Sequence, residues 1–381
     1  MKGLFLFSTF VITYGSLFPL EFQYVDWREE GLTQLLFGER DDSGFADILG
    51  NIFLFIPFGF AGTALASRVK NTANWVLALF IFGGLLAVSV QFLQIYIEYR
   101  VPALYDAGCN MVGILLGSLF ARYMNKSYPA LLAEEDRLAL AALATSWIFY
   151  LLVPFIFSFN SEIFQENIII HSDINEYRFA NVVFYVAIWL TYAKLVDEIV
   201  PNIRNPLFSL EFTALVTLTG KIFVYRDFIE PELIPGAVFA IILYRSGIFK
   251  FISPYKLAAL ILVPTMFYNS IYPFEFFGST FKEFMWIPFA ELFSGDMLNI
   301  VRTVFYKIFA YGCVVWTLYK SFSNARWVSY FCFMYAGLIE YLQHLTFARV
   351  GGLTEPLLVL FLCTFIEQKR EKFDLYANQE N

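Results

Sequence analysis

The sequence predicts an all-α fold, a polytopic membrane helical bundle with about 12 transmembrane helices in three tandem four-helix units. Composition is the first reason. Of 381 residues, 59% are hydrophobic, 20% aromatic and only 15% charged, and the mean hydropathy is positive, which is more apolar surface than a soluble core of normal proportions can hide. Length is the second: a transmembrane helix needs about 20 mostly apolar residues to cross roughly 30 Å of hydrocarbon, and about twelve such stretches can be marked. The third is a recurrence. An arginine is followed six residues later by a carboxylate in three gaps between apolar stretches: Arg100 with Asp106, Arg226 with Glu232, and Arg349 with Glu355. The arginines stand 126 and then 123 residues apart, the period of a repeated unit.

The elements follow in order. Residues 3–20 open the chain. The run after Met1 and Lys2 resembles a signal peptide, but no small-residue cleavage site follows Phe18 and Pro19, so a retained helix is expected. Stretches 47–66, 73–97 and 103–121 complete a first unit, 1–125. A divergent middle unit, 130–250, takes 138–159, 179–195, 207–225 and 233–249; its third stretch is interrupted by Glu211 and Lys221 and its fourth is short. The last unit, 254–370, takes 256–273, 299–319, 327–346 and 353–367, ahead of a polar tail at 371–381.

Lys and Arg are retained on the cytoplasmic side of membrane proteins. An even helix count with both termini and the tail inside places 16 basic residues in the inner loops and ends and 7 in the outer loops. All three Arg–acid pairs then fall on the extracytoplasmic face. The formal charge of −7 is spread over particular loops and gives no basis for a nucleic-acid partner. Cys109, Cys313, Cys332 and Cys363 all lie in apolar stretches, which points neither to disulfides nor to a spaced metal site, and no cofactor is called for.

The recurrence extends beyond the arginines. Tyr14-Gly-Ser16-Leu-Phe-Pro19-Leu-Glu21-Phe22 reads almost residue for residue like Tyr268-Asn-Ser270-Ile-Tyr-Pro273-Phe-Glu275-Phe276. Gln91, Gln94, Arg100 and Asp106 are matched at identical spacing by Glu340, Gln343, Arg349 and Glu355. The middle unit keeps Val153-Pro154-Phe155 near its first helix end, Asn181 where the first has Asn51, and the spacing from Arg226 to Glu232, but it has Thr217 and Gly220 in place of the Gln or Glu pair.

These residues form the candidate site: Gln91, Gln94, Arg100, Asp106 and Asn110 in the first unit, Arg226 and Glu232 in the middle, and Glu340, Gln343, Arg349 and Glu355 in the last. Residues three apart share a helix face, so Gln91 with Gln94 and Glu340 with Gln343 should point together into the bundle, because unsatisfied amides in hydrocarbon are costly. An arginine just beyond can hold a carboxylate or phosphate bidentately, and an acid opening the next helix suits its dipole. The bland alternative is that arginine and acid pair with each other and fix the turn, the commoner fate of an intramembrane charge. A Gln or Glu layer is more than a turn needs.

Asp47-Ile-Leu-Gly-Asn51, Phe55-Ile-Pro57-Phe58-Gly59-Phe60, Gln91, Gln94, Arg100, Asp106, Asn110, Gly113 and Gly117 together resemble the VanZ-like family, over residues 1–123. The family is named for an accessory protein that raises tolerance to teicoplanin, and its members are small bacterial membrane proteins of largely undefined activity. The resemblance implies a place in the bacterial plasma membrane and a role in the cell envelope, with membrane lipids or lipid-linked cell-wall intermediates as partners. It fixes no reaction. Where the family usually has Glu the chain has Gln91, whereas Glu340 restores it; Val359 and Leu362 stand where Asn110 and Gly113 would recur. Two function classes follow. One is an envelope protein that modulates glycopeptide susceptibility by binding an anionic or lipid-linked headgroup in an outer Arg/Gln/acid pocket. The other is a membrane enzyme or transporter acting on lipid-linked intermediates, with Glu340 or Asp106 as acid or base and arginines clamping phosphate.

Remaining features have plainer readings. Gly113-x-x-x-Gly117 suits close helix packing. Lys221, Arg302 and Lys307 fall within apolar stretches, where snorkelling or internal pairing is the usual outcome, Lys307 lying nearest mid-span. His344, one turn from Glu340, could carry a proton but suits a hydrogen-bonded packing residue better. Cys109 fits a small core position.

Overall fold

A computed structural model describes residues 1–18, 20–23, 32–37, 44–97, 100–127, 135–153, 178–199, 209–224, 229–276, 284–288, 297–346 and 349–367. Among them the regular structure is helical, with isolated bridges in place of strands. The helices are α1 (Lys2–Leu17), α2 (Leu32–Phe37), α3 (Gly44–Ala66), α4 (Thr72–Gln94), α5 (Leu104–Ser127), α6 (Glu135–Leu152) and α7 (Phe179–Ile199). They continue as α8 (Leu210–Phe223), α9 (Leu233–Arg245), α10 (Pro254–Ile271), α11 (Met297–Ser321), α12 (Ala325–His344) and α13 (Thr354–Glu367). Each expected apolar stretch coincides with one of these, and the short α2 is additional.

By length and composition, five segments among the described residues suffice to cross a membrane: Ile48–Ala66, Thr72–Gln94, Leu104–Ser127, Phe179–Ile199 and Ile300–Ser321. Lys2–Leu17, Arg137–Leu152, Leu233–Arg245 and Thr354–Ile366 are shorter apolar helices. The chain has the make-up of a membrane protein. In α4, Trp75, Leu77, Ile81, Leu85 and Val88 are all exposed, a stripe that hydrocarbon tolerates and water does not.

The chain forms two compact units, one of residues 1–135 with 293–300, the other of 136–292 with 301–381. In the first, α3 lies against α5 along a seam where glycines bring the two backbones close. A Cβ at Gly59 would stand 2.3 Å from the Ile114 carbonyl oxygen, one at Gly113 2.3 Å from that of Ile52, and one at Gly117 2.2 Å from that of Ile56. Glycine there lets the backbones touch. Thr63 Oγ1 donates to Ser118 Oγ at 2.8 Å beside the seam. The Gly113/Gly117 pair therefore serves packing.

The second unit is built round an aromatic centre. Trp147 and Trp189 are fully buried and meet edge to face with ring centroids 5.6 Å apart, and Trp147 also stacks on Phe309 at 5.0 Å. Such pairs add roughly 0.5–1.5 kcal/mol beyond the area they bury. Cys313, Cys332 and Cys363 are buried and unbridged in this unit, and Cys109 likewise in the first.

Candidate functional site

The candidate residues form two separate clusters, one at the end of α1 and one at the end of α10. Leu20 and Phe274, each just past a helix end, have φ of 67° and 64°, a region that bulky residues avoid unless the surroundings enforce it. Both close the same tight turn: Leu20 N donates to Leu17 O at 2.8 Å and Phe274 N to Ile271 O at 3.0 Å. The chain then pairs backward, Phe22 bridging Ile97 and Phe276 bridging Thr346, both antiparallel. Those partners lie just past the ends of α4 and α12.

A helix end leaves carbonyls without internal partners, and the candidate residues satisfy them. Gln94 Nε2 donates to Ser16 O at 2.7 Å, and Gln343 Nε2 to Ser270 O at 2.9 Å. The Arg100 guanidinium donates to Phe18 O at 3.2 Å and Gly15 O at 3.1 Å. Arg349 donates to Asn269 O at 3.3 Å. One turn earlier, Gln91 Oε1 accepts from Ala103 N at 3.0 Å and Glu340 Oε2 accepts from Gly352 N at 2.8 Å. Gln91 and Glu340 are both 2% exposed. In each cluster, then, three side chains of one hairpin tie helix ends together, those of α1 and α4 to the start of α5 in one and those of α10 and α12 to the start of α13 in the other. The two glutamines and their counterparts do point into the bundle.

The remaining candidates are placed as follows. Asp106 is buried in the first turn of α5, and its backbone N–H closes a turn onto Ala103 O at 2.9 Å. Asn110, 1% exposed, has a side-chain oxygen without a hydrogen-bond partner. Arg226 lies outside the described residues. Glu232 is buried just before α9 and accepts from Arg178 N and Asn181 Nδ2, both at 3.0 Å. Asn181 thus shares one carboxylate oxygen of Glu232 with the Arg178 backbone N–H.

Glu355 differs from the simple pairing considered above: it forms an ion pair with Lys307 of α11 rather than with Arg349. Geometry explains this. Cβ vectors tilt toward a helix N-terminus, so Lys307, about 15 Å along α11 at 1.5 Å per residue, sends its ammonium back toward the first turn of α13, while Arg349 folds down onto the end of α10. The buried Glu355 carboxyl also meets that of Glu340, the two side chains sharing a hydrogen bond. Lys307 therefore pairs internally, as does Lys221. The Lys221 side chain is fully buried, 3.7 Å from Glu230 and beneath the Tyr150 ring at 5.5 Å, while Tyr150 donates to Glu230 at 2.9 Å.

Sequence reasoning misses one participant, Glu230, because the Arg-to-acid spacing selects Glu232 two residues on. Arg302 donates to Val153 O at 2.9 Å, capping the end of α6 much as Arg100 and Arg349 cap α1 and α10. A charge inside an apolar stretch was the only signal for it. His344 packs edge to face on Phe284, ring centroids 5.6 Å apart, and its buried Nδ1 has no hydrogen-bond partner.

Residues 4–125 match the family model VanZ/LLP1 and form a VanZ-like domain. No curated protein and no solved structure matches the chain.

Proposed function

Proceeding from the VanZ-like domain at residues 4–125, we propose that the protein is a multi-pass component of the bacterial plasma membrane, with both termini cytoplasmic. It uses an arginine-centred clasp to hold anionic or lipid-linked headgroups at the extracytoplasmic surface and so modulates glycopeptide susceptibility. The clasp belongs to a repeated four-helix unit. Supporting the repeat are the matched bonds Gln94 to Ser16 and Gln343 to Ser270, Gln91 to Ala103 and Glu340 to Gly352, and the matched positive φ of Leu20 and Phe274.

One observation carries the binding reading: Arg349 is exposed and uses a guanidinium N–H to anchor itself on Asn269 O. A guanidinium has five donors in a fixed fork, so an anchored one presents a pre-oriented face to a phosphate or carboxylate. Arg100 sits half-buried on two carbonyls in the same manner. Glu340 has one oxygen committed to Gly352 N, which favours a holding role over acid–base chemistry. The test is lipid retention. Full-length protein extracted from vesicles of phosphatidylcholine with phosphatidylglycerol should retain the anionic lipid in native mass spectrometry, and Arg349→Ala and Arg100→Ala should reduce retention and teicoplanin tolerance together. Equal retention and tolerance in folded variants would overturn it.

A further inference from the structure

Three ionisable groups of the second unit meet where the chain passes from α12 to α13. Glu340, one turn before the end of α12, accepts from Gly352 N at 2.8 Å, and Glu355, in the first turn of α13, pairs with Lys307 of α11. Gly352 and Glu355 stand three residues apart, so the carboxyl that reaches one reaches the other, and the two carboxyls share a hydrogen bond. Both residues are buried, Glu340 at 2% and Glu355 at 5% exposure, while the Lys307 side chain is 19% exposed.

A bond between two carboxyls needs a proton, because ionised carboxylates only accept. Charge counting gives the same answer. Two carboxylates against one ammonium would leave a net negative charge out of water with like charges in contact, and a single bound proton removes both penalties. The clasp itself does not call for this chemistry. Gln91 stands where Glu340 does and makes the corresponding bond to Ala103 N at 3.0 Å with an amide that has no proton to lose.

We propose that Glu340 and Glu355 form a proton-binding site in the second unit, one proton shared between the two carboxyls and Lys307 the counter-ion to the charge that remains. The helix ends place the proton on Glu340: the start of α13 favours an anion at Glu355, whereas an anion near the end of α12 is disfavoured. The proton is held and passed to no substrate, and the site stands independently of the headgroup reading. Its loss would set two negative charges side by side between α12 and α13. The other ionisable groups about the pair are Tyr306 and Tyr311 of α11, His344 one turn farther along α12, and Arg349 ahead of α13. Neighbouring α10 brings the backbone carbonyls of Asn269 and Ser270, and the stretch 284–288, bonded to Gly351 through Met285, carries no ionisable side chain.

Infrared spectroscopy of the full-length protein counts protonated carboxyls directly, in nanodiscs of ether-linked phosphatidylcholine, which has no ester carbonyl to mask their band. At neutral pH, Glu340→Gln should remove intensity equal to about one carboxyl per chain, and Glu355→Gln the same, because the carboxyl left behind then balances Lys307 alone. Lys307→Met should instead add about one, both carboxyls now being neutral. His344→Gln should leave the band unchanged, although an imidazole is the side chain that ordinarily changes charge near neutrality. Gln91 is the precedent for a folded Glu340→Gln protein. If neither glutamine variant changes the band, both carboxyls are ionised and the proposal fails. It fails equally if Glu340→Gln alone removes intensity, since the proton is then not shared, or if His344→Gln does. No gain in Lys307→Met would overturn the role of the ammonium as counter-ion.

Discussion

Replacing Glu340 isolates the clasp from every other role of that residue. Its Oε2 accepts from Gly352 N at 2.8 Å, and the equivalent bond in the first unit is made by an amide, Gln91 to Ala103 at 3.0 Å. Glu340→Gln should therefore keep the acceptor and the bond. Glu340→Leu removes it and leaves the Gly352 N–H buried without a partner, which costs about 1–3 kcal/mol. Since about 1.4 kcal/mol is tenfold in an equilibrium constant, local opening should rise roughly five- to a hundredfold. Hydrogen exchange of the peptide spanning 349–354, followed by mass spectrometry in nanodiscs, reads this directly. Faster exchange in both variants, or in neither, would refute the assignment of that bond.

Other consequences are equally concrete. Gly351→Ala would drive a methyl to within 2.2 Å of Glu340 O and 2.9 Å of His344 Cβ; overpacking of this kind costs about 1–3 kcal/mol, visible as a lowered unfolding midpoint. Gly117→Leu should separate α3 from α5, because Ile56 O lies only 2.2 Å from the new Cβ, and cysteine cross-linking across the seam should fall. Arg100→Lys should lose one of two carbonyl bonds, a loss of about 1 kcal/mol, checked by the same unfolding assay. Lys221→Met should destabilise by about 3–5 kcal/mol, since Glu230 is left without its cation, and the double change with Glu230→Gln should recover much of that loss in a double-mutant cycle.

The helices were legible because an apolar stretch of spanning length has few alternatives, and each of the twelve expected stretches coincides with a helix. Their ends were also legible. Tyr14–Phe22 and Tyr268–Phe276 read alike because both must make the same turn, and the turn's positive φ falls at Leu20 and Phe274. Spacing likewise identified Gln91, Gln94, Glu340 and Gln343 as inward-facing. What it could not convey was the partner. Hydrogen bonds from Gln94 to Ser16 O or from Arg349 to Asn269 O end on backbone carbonyls, which carry no residue identity and leave no trace in a motif. The pairing of Glu355 with Lys307 depends on how α11 is rotated against α13, a tertiary fact, and Arg302 serves a helix end 149 positions earlier.

That last contact bears on how the polypeptide is made. The carbonyl closing α6 waits for a guanidinium that the ribosome delivers only after α7, α8, α9 and α10 have been synthesised. The α6 terminus is thus completed only once α11 has been made, and a chain stopped short of α11 lacks this donor for the Val153 carbonyl.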